Sequence, residues 1–86
     1  MSKRYQCKCC ENYVYNENPE GSWSICPVCN WEVDDVQERG SDFSGGANKM
    51  SLNQAKQNYK NFGAVSRDFI DKVRKPNNNE IPENDV

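Results

Sequence analysis

Apolar residues follow two rhythms along this chain. Up to residue 31 they come in short aromatic and β-branched runs, Tyr5 to Cys7, Tyr13-Val14-Tyr15 and Trp23-Ser24-Ile25. Runs of this kind bounded by turn formers read as strands, and turn-rich "NENPEG" between the last two predicts a hairpin. From residue 51 the period lengthens. Leu52, Ala55, Tyr59 and Phe62 recur at spacings of three and four, which is one buried helical face. Ser51 followed by Gln54 forms a capping box, and Gly63 stands where a helix stops, so a helix is predicted over 52–62. Ser66 can cap a shorter helix near 67–74 that buries Phe69, Ile70 and Val73 and ends before Pro76.

Between these regions "WEVDDVQER" predicts one helical turn begun at Asp34 or Asp35. "GSDFSGGAN" reads as loop. The last eleven residues, "PNNNEIPENDV", have no periodicity and predict a disordered tail over 76–86, leaving a single domain in 1–75. The expected core holds Tyr13 or Tyr15, Ile25, Trp31, Leu52, Ala55, Tyr59 and Phe62.

Composition makes that core thin. Of 86 residues 35% are hydrophobic, and the mean hydropathy is −1.06. A chain this short and polar needs a staple. "MSKRYQ" has no apolar run after its charges, which predicts no signal peptide, and no stretch is long enough to span a bilayer. The expected setting is therefore a reducing cytoplasm, where a cysteine framework means metal rather than disulfides. The net charge of −2 conceals an asymmetry. Residues 1–48 carry four basic and eight acidic side chains, while 49–75 carry seven and two. The chain lacks the basic excess of a nucleic-acid binder, so nucleic acid is not an expected partner.

The cysteines supply the staple. Cys7-x-x-Cys10, fifteen residues, then Cys26-x-x-Cys29 is the spacing of one tetrahedral four-thiolate site. Each x-x spacer folds into a knuckle that aims both sulfurs at one ion. The residue after the second cysteine of a knuckle often takes a left-handed conformation, which suits Asn30 and strains Glu11. Cys9 is the fifth, spare cysteine. It occupies the place in its knuckle that Val28 has in the other, as a small hydrophobe over sulfur or as a thiol able to exchange into the site. Four thiolates suit zinc or iron, and zinc is the expected occupant.

Two resemblances bear on this. "RYQCKCCENYVYNENPEG" followed by "WSICPVCN" is similar to rubredoxins, with an aromatic before the first cysteine, "NPEG", a tryptophan and "CPVC". That likeness implies a rubredoxin-like ribbon in which the four cysteines would ligate iron. Cys7-Lys8-Cys9-Cys10, "GSWSICPVCNWE" and "DFSGGANKMSLNQAKQNYKNFGA" together resemble the cysteine-rich CPCC family of small bacterial proteins over roughly residues 5–64. Lys8 stands where that family has its proline, and Glu11 where a glycine is usual. This second resemblance implies a bacterial zinc-binding domain and no particular activity. The expected fold is thus a small α+β domain: a rubredoxin-like zinc ribbon packed on one or two C-terminal helices.

Other candidates give less. Ser44-Gly45-Gly46 lacks the Walker spacing and reads as a structural turn that leads Asn48 into the helix cap. Glu32, Asp34 and Asp35 read as a solvated face, and Trp31 as a shield for the metal. The chain has no histidine, the commonest general base. The expected function is a non-enzymatic protein-protein interaction module, an adaptor or immunity-type protein. Its docking surface would be "DVQERGSDFSGGAN" with the basic helix faces. A single-iron electron carrier is the alternative.

Overall fold

Both cysteine knuckles sit at the tips of hairpins in the computed structural model, which describes residues 4–82. Strand β1 (Tyr5–Gln6) pairs antiparallel with β2 (Tyr13–Tyr15), Tyr5 opposite Tyr15 and Gln6 opposite Tyr13. The second hairpin is a single antiparallel bridge between Ile25 and Glu32. The hairpin expected across "NENPEG" is not among the pairings. Each apolar run pairs instead across its own knuckle, because closing a loop of a few residues is entropically cheapest. Gly21 and Trp23, both left-handed at φ 75° and 57°, also bend that segment out of strand geometry.

Helix α1 (Asp35–Arg39) begins at Asp34, whose carboxylate accepts from the amides of Val36 at 2.9 Å and Gln37 at 3.1 Å. Its other oxygen accepts from the Ala47 amide at 2.9 Å. Asp34 is therefore buried at 6% exposure rather than part of a solvated face. Those three amides hold its carboxyl below the usual range, Ala47 foremost.

The loop after α1 is built around two buried carboxamides. Gln37 Nε2 donates to the carbonyls of Phe43, Asn48 and Met50 at 3.0–3.2 Å, and its Oε1 accepts from the Asn48 amide and side chain. Asn48 spends its remaining groups on one residue: Oδ1 accepts from Glu32 N at 2.9 Å and Nδ2 donates to Glu32 O at 2.8 Å. The glycine turn is structural, as expected. Asn48, however, braces the second hairpin and does not cap the helix. Gly46 is obligatory there, since a Cβ would come within 2.6 Å of Asp34 Oδ2.

Helix α2 spans Leu52–Phe62 with Ser51 as its cap and Gly63, φ 86°, as its stop. The predicted bounds are met. Only one limb of the capping box forms: Ser51 Oγ accepts from Gln54 N at 3.1 Å, while Gln54 Nε2 turns to Asn58 at 2.9 Å. Leu52 and Ala55 are buried, and Tyr59 packs on the cysteine core half-buried. The next element, Arg67–Lys72, is capped by Ser66 as expected but winds as a 3-10 helix. Three residues per turn set Phe69 against the core and leave Ile70 on the outer side.

The core differs from expectation at both ends. Ile25 is 54% exposed, because its bridge turns it away from the sulfurs and Trp31 fills that space. Val33, Ala64 and Val65 join it instead, Val65 through a 2.9 Å bond from its amide to the Cys29 carbonyl. Residues 76–82, expected to be disordered, include a 3-10 turn at Asn78–Glu80. Glu80 is buried there, paired through both oxygens with Arg74 at 2.9 Å and accepting the Asn77 amide. That pair gives the segment an anchor that periodicity does not register. The rest of the expected tail, 83–86, lies outside the described residues. Among the described residues no helix is long and apolar enough to cross a membrane.

Candidate metal centre

Each knuckle is a short bonded loop, and the two repeat each other nineteen residues apart. In the first, Cys7 N donates to Asn12 O at 3.0 Å and Glu11 N to Cys7 O at 2.9 Å. In the second, Cys26 N donates to Trp31 O and Asn30 N to Cys26 O, both at 2.9 Å. The Cys9 amide reaches Cys7 Sγ at 3.4 Å, and the Val28 amide reaches Cys26 Sγ at 3.4 Å. Glu11 and Asn30 both adopt the left-handed region, at φ 66° and 72°.

This repeat brings the sulfurs of Cys7, Cys10, Cys26 and Cys29 within 4.8 Å of one another. Cys7 and Cys29 are 3.5 Å apart, and Cys10 and Cys26 3.7 Å. A tetrahedral zinc with bonds of about 2.3 Å needs sulfurs about 3.8 Å apart, so the donor set fits such an ion. All five cysteines are free thiols rather than disulfides. Thiols packed this closely compete for protons: contact with Cys10 pushes Cys7 and Cys29 up, while contact with Cys26 holds Cys10 down. A central cation would remove that conflict by favouring the thiolate at all four.

The surroundings enclose the centre. Cys7, Cys26 and Cys29 are at most 1% exposed, and Cys10 is half-buried. Trp31 is fully buried beside them, as expected of a shield, and its indole donates to Glu38 at 2.9 Å. Val28 and Cys9 are both buried in matching places. Cys9 is not among the four converging sulfurs. Asn12 takes the place of Trp31 in the first knuckle and donates to the Tyr59 hydroxyl at 3.2 Å, tying α2 to the ribbon. Half-buried Tyr15 has its hydroxyl turned inward, with no partner among the described residues. Burial first, then the neighbouring sulfurs, push its pKa up.

Asn12 and Gln37 carry no sequence expectation, and Asn48 carries a different one, as the lead into the helix cap. Asn12 lies beside the run Tyr13-Val14-Tyr15, whereas Gln37 and Asn48 stand in a polar helical turn and a loop, where nothing local signals burial. The carboxylates Glu32, Asp34 and Asp35 do not converge with one another: Asp34 caps α1, Asp35 accepts the Gly21 amide at 3.3 Å, and the Glu32 backbone holds Asn48.

A pair of knuckles closing on four sulfurs, in a small α+β frame, is the arrangement of a zinc-ribbon-type metal domain. The chain belongs to the cysteine-rich CPCC family, whose model matches residues 5–80. The match runs past the last expected residue, 64, through both 3-10 elements. Among curated proteins none matches the chain.

Proposed function

We propose that this CPCC domain is a non-enzymatic docking module, of adaptor or immunity type, whose four-cysteine centre holds a structural zinc. The observation that carries the reading is the closed sulfur shell. Four protein donors at tetrahedral spacing leave an ion no place for water or substrate. Histidine is absent from the sequence, and Asp34, the most buried acid of the run, is spent on three amides. What the metal supplies is a fixed frame. On it the loop from α1 to α2 is held from inside by Gln37 and Asn48, and Val36 and Phe43 are turned outward at 62% and 49% exposure. Large apolar side chains on a braced helix and its loop are what a protein partner anchors on.

A single-iron electron carrier is the second reading. The matched amide-to-sulfur bonds and buried Val28 favour it, since both are suited to a thiolate-bound iron. Elemental analysis and the visible spectrum of aerobically purified protein separate the two. Zinc near one per chain in a colourless sample supports the first; iron near one per chain, with colour that dithionite bleaches and air restores, overturns it. The docking half is tested by crosslinking in a bacterial lysate. One partner should be captured by the parent and lost with Val36→Glu and Phe43→Glu. Repeated failure to capture any partner counts against docking.

A further inference from the structure

A groove of about 430 Å³ lies between the second hairpin, the 47–50 loop and the long 3-10 helix. Ile25, Met50 and Phe69 give it an apolar surface, and Glu32, Asp68 and Lys49 stand around it. Its walls are fixed to one another: Asn48 joins the loop to Glu32, Val65 bonds Cys29, and Asn58 Nδ2 bonds Val65 O at 2.7 Å. The groove is therefore preformed.

The hairpin beside it has two unlike edges. Its bonds, Cys26 N to Trp31 O and Val33 N to Ser24 O, direct the amide and carbonyl of Glu32 outward on one side and those of Ile25 outward on the other. On the Glu32 side a carboxamide, that of Asn48, takes up both groups as a neighbouring strand would. The Ile25 side offers the same pair of groups, beside an exposed apolar side chain, and the hairpin itself does not use them.

We propose that this groove docks an extended segment of a partner protein that carries an apolar residue and, two positions along, an arginine or lysine. The extended backbone bonds Ile25 in the way Asn48 bonds Glu32. Residues two apart on a strand share a face. The apolar one packs on Ile25, Met50 and Phe69, and the cation meets Glu32 and Asp68, which outnumber Lys49. The proposal rests on the docking reading above but is separable from it, because the groove and the Val36–Phe43 surface are different residues.

The test uses the full, metal-loaded chain labelled with nitrogen-15, titrated with two blocked pentapeptides, Thr-Leu-Thr-Arg-Thr and Thr-Leu-Thr-Glu-Thr. The arginine peptide should shift the amides of Ile25, Glu32, Met50 and Phe69 and bind about tenfold more tightly than the glutamate peptide. The double variant Glu32→Gln, Asp68→Asn should lose that preference while keeping its dispersed spectrum. Ile25→Asp should weaken both peptides. Equal affinities, no shifts at millimolar peptide, or shifts confined to Val36–Phe43 would overturn the proposal. Shifts at Ile25 that depend on protein concentration alone would overturn it too, in favour of a second copy. Capture of a lysate partner through Val36 and Phe43 with a silent groove would sink the groove and leave the docking reading standing.

Discussion

The two knuckles have the same backbone and different side chains. Residues 7–12 and 26–31 share two turn bonds, one amide-to-sulfur bond and a left-handed fifth position. Yet the first carries Lys8, Cys9, Glu11 and Asn12 where the second carries Pro27, Val28, Asn30 and Trp31. Its cysteines differ in cover as well: Cys10 is half-buried, whereas Cys29 is fully covered and its carbonyl holds Val65. Ligand geometry is therefore a matter of spacing and one backbone conformation. Attachment to the rest of the domain differs between the knuckles: the sixth position is an amide in the first and an indole in the second, and the second is also held through the carbonyls of Pro27 and Cys29.

The largest expected effect erases the comparison. Stripping the ion with a chelator, or Cys26→Ser, should unfold both knuckles together, because metal binding is folding free energy in a core this small. Loss of amide dispersion and of helical circular dichroism checks it, and an unchanged melt would refute it. Next comes the asymmetry itself. Trp31→Ala should cost about 3–5 kcal/mol and its counterpart Asn12→Ala about 1–3 kcal/mol, measured by denaturant unfolding of metal-loaded protein. Equal costs would mean that the knuckles are anchored alike. A smaller effect of opposite sign belongs to the left-handed sites. Glu11→Gly should stabilise by about 0.5–1 kcal/mol, and Asn30→Gly should change little, since asparagine already tolerates that conformation.

The smallest effect is with pH, away from the sulfurs. Asp34 and Glu80 both have folded pKa values below their ordinary ones, Asp34 mainly through the Ala47 amide and Glu80 mainly through Arg74. A depressed carboxyl contributes stability that is present above its unfolded pKa and lost as pH falls through the folded one. Melting of the parent should therefore drop below about pH 4, and Asp34→Asn and Glu80→Gln should each flatten part of that drop. Because thiolates also release a bound metal in acid, the comparison between parent and variants carries the result.

Some of this is legible in the chain and some is not, for physical reasons. The convergence of four cysteines and helix 52–62 come from local rules, cysteine spacing and a capped apolar face, and the structure brings those four sulfurs together and winds the helix over those residues. Strand pairing is not legible because the apolar runs look alike, and which run lies nearest is decided by knuckle closure rather than by turn composition. Ile25 and Val65 exchange places in the core for a related reason. Burial of a single residue between turns depends on long-range bonds such as Val65 to Cys29, to which a periodicity is blind. The tail departs from expectation at Glu80, whose partner Arg74 lies across a proline and three asparagines. Buried amides are the hardest to foresee. Gln37 and Asn48 read as surface residues until every bond they make is counted.

The nineteen-residue repeat also governs how an ion leaves. Each knuckle is a bidentate chelator, and the two are tethered by a loop of fifteen residues between Cys10 and Cys26. An ion that lets go of one pair is still held by the other, with the released pair at an effective concentration on the order of millimolar or above. Recapture then outpaces escape. Exchange with an outside chelator must proceed through a shared complex in which the competitor takes the place of one knuckle, so its rate should rise with competitor concentration. Cys10 is the one half-buried sulfur of the four, so the first knuckle should be the one displaced first.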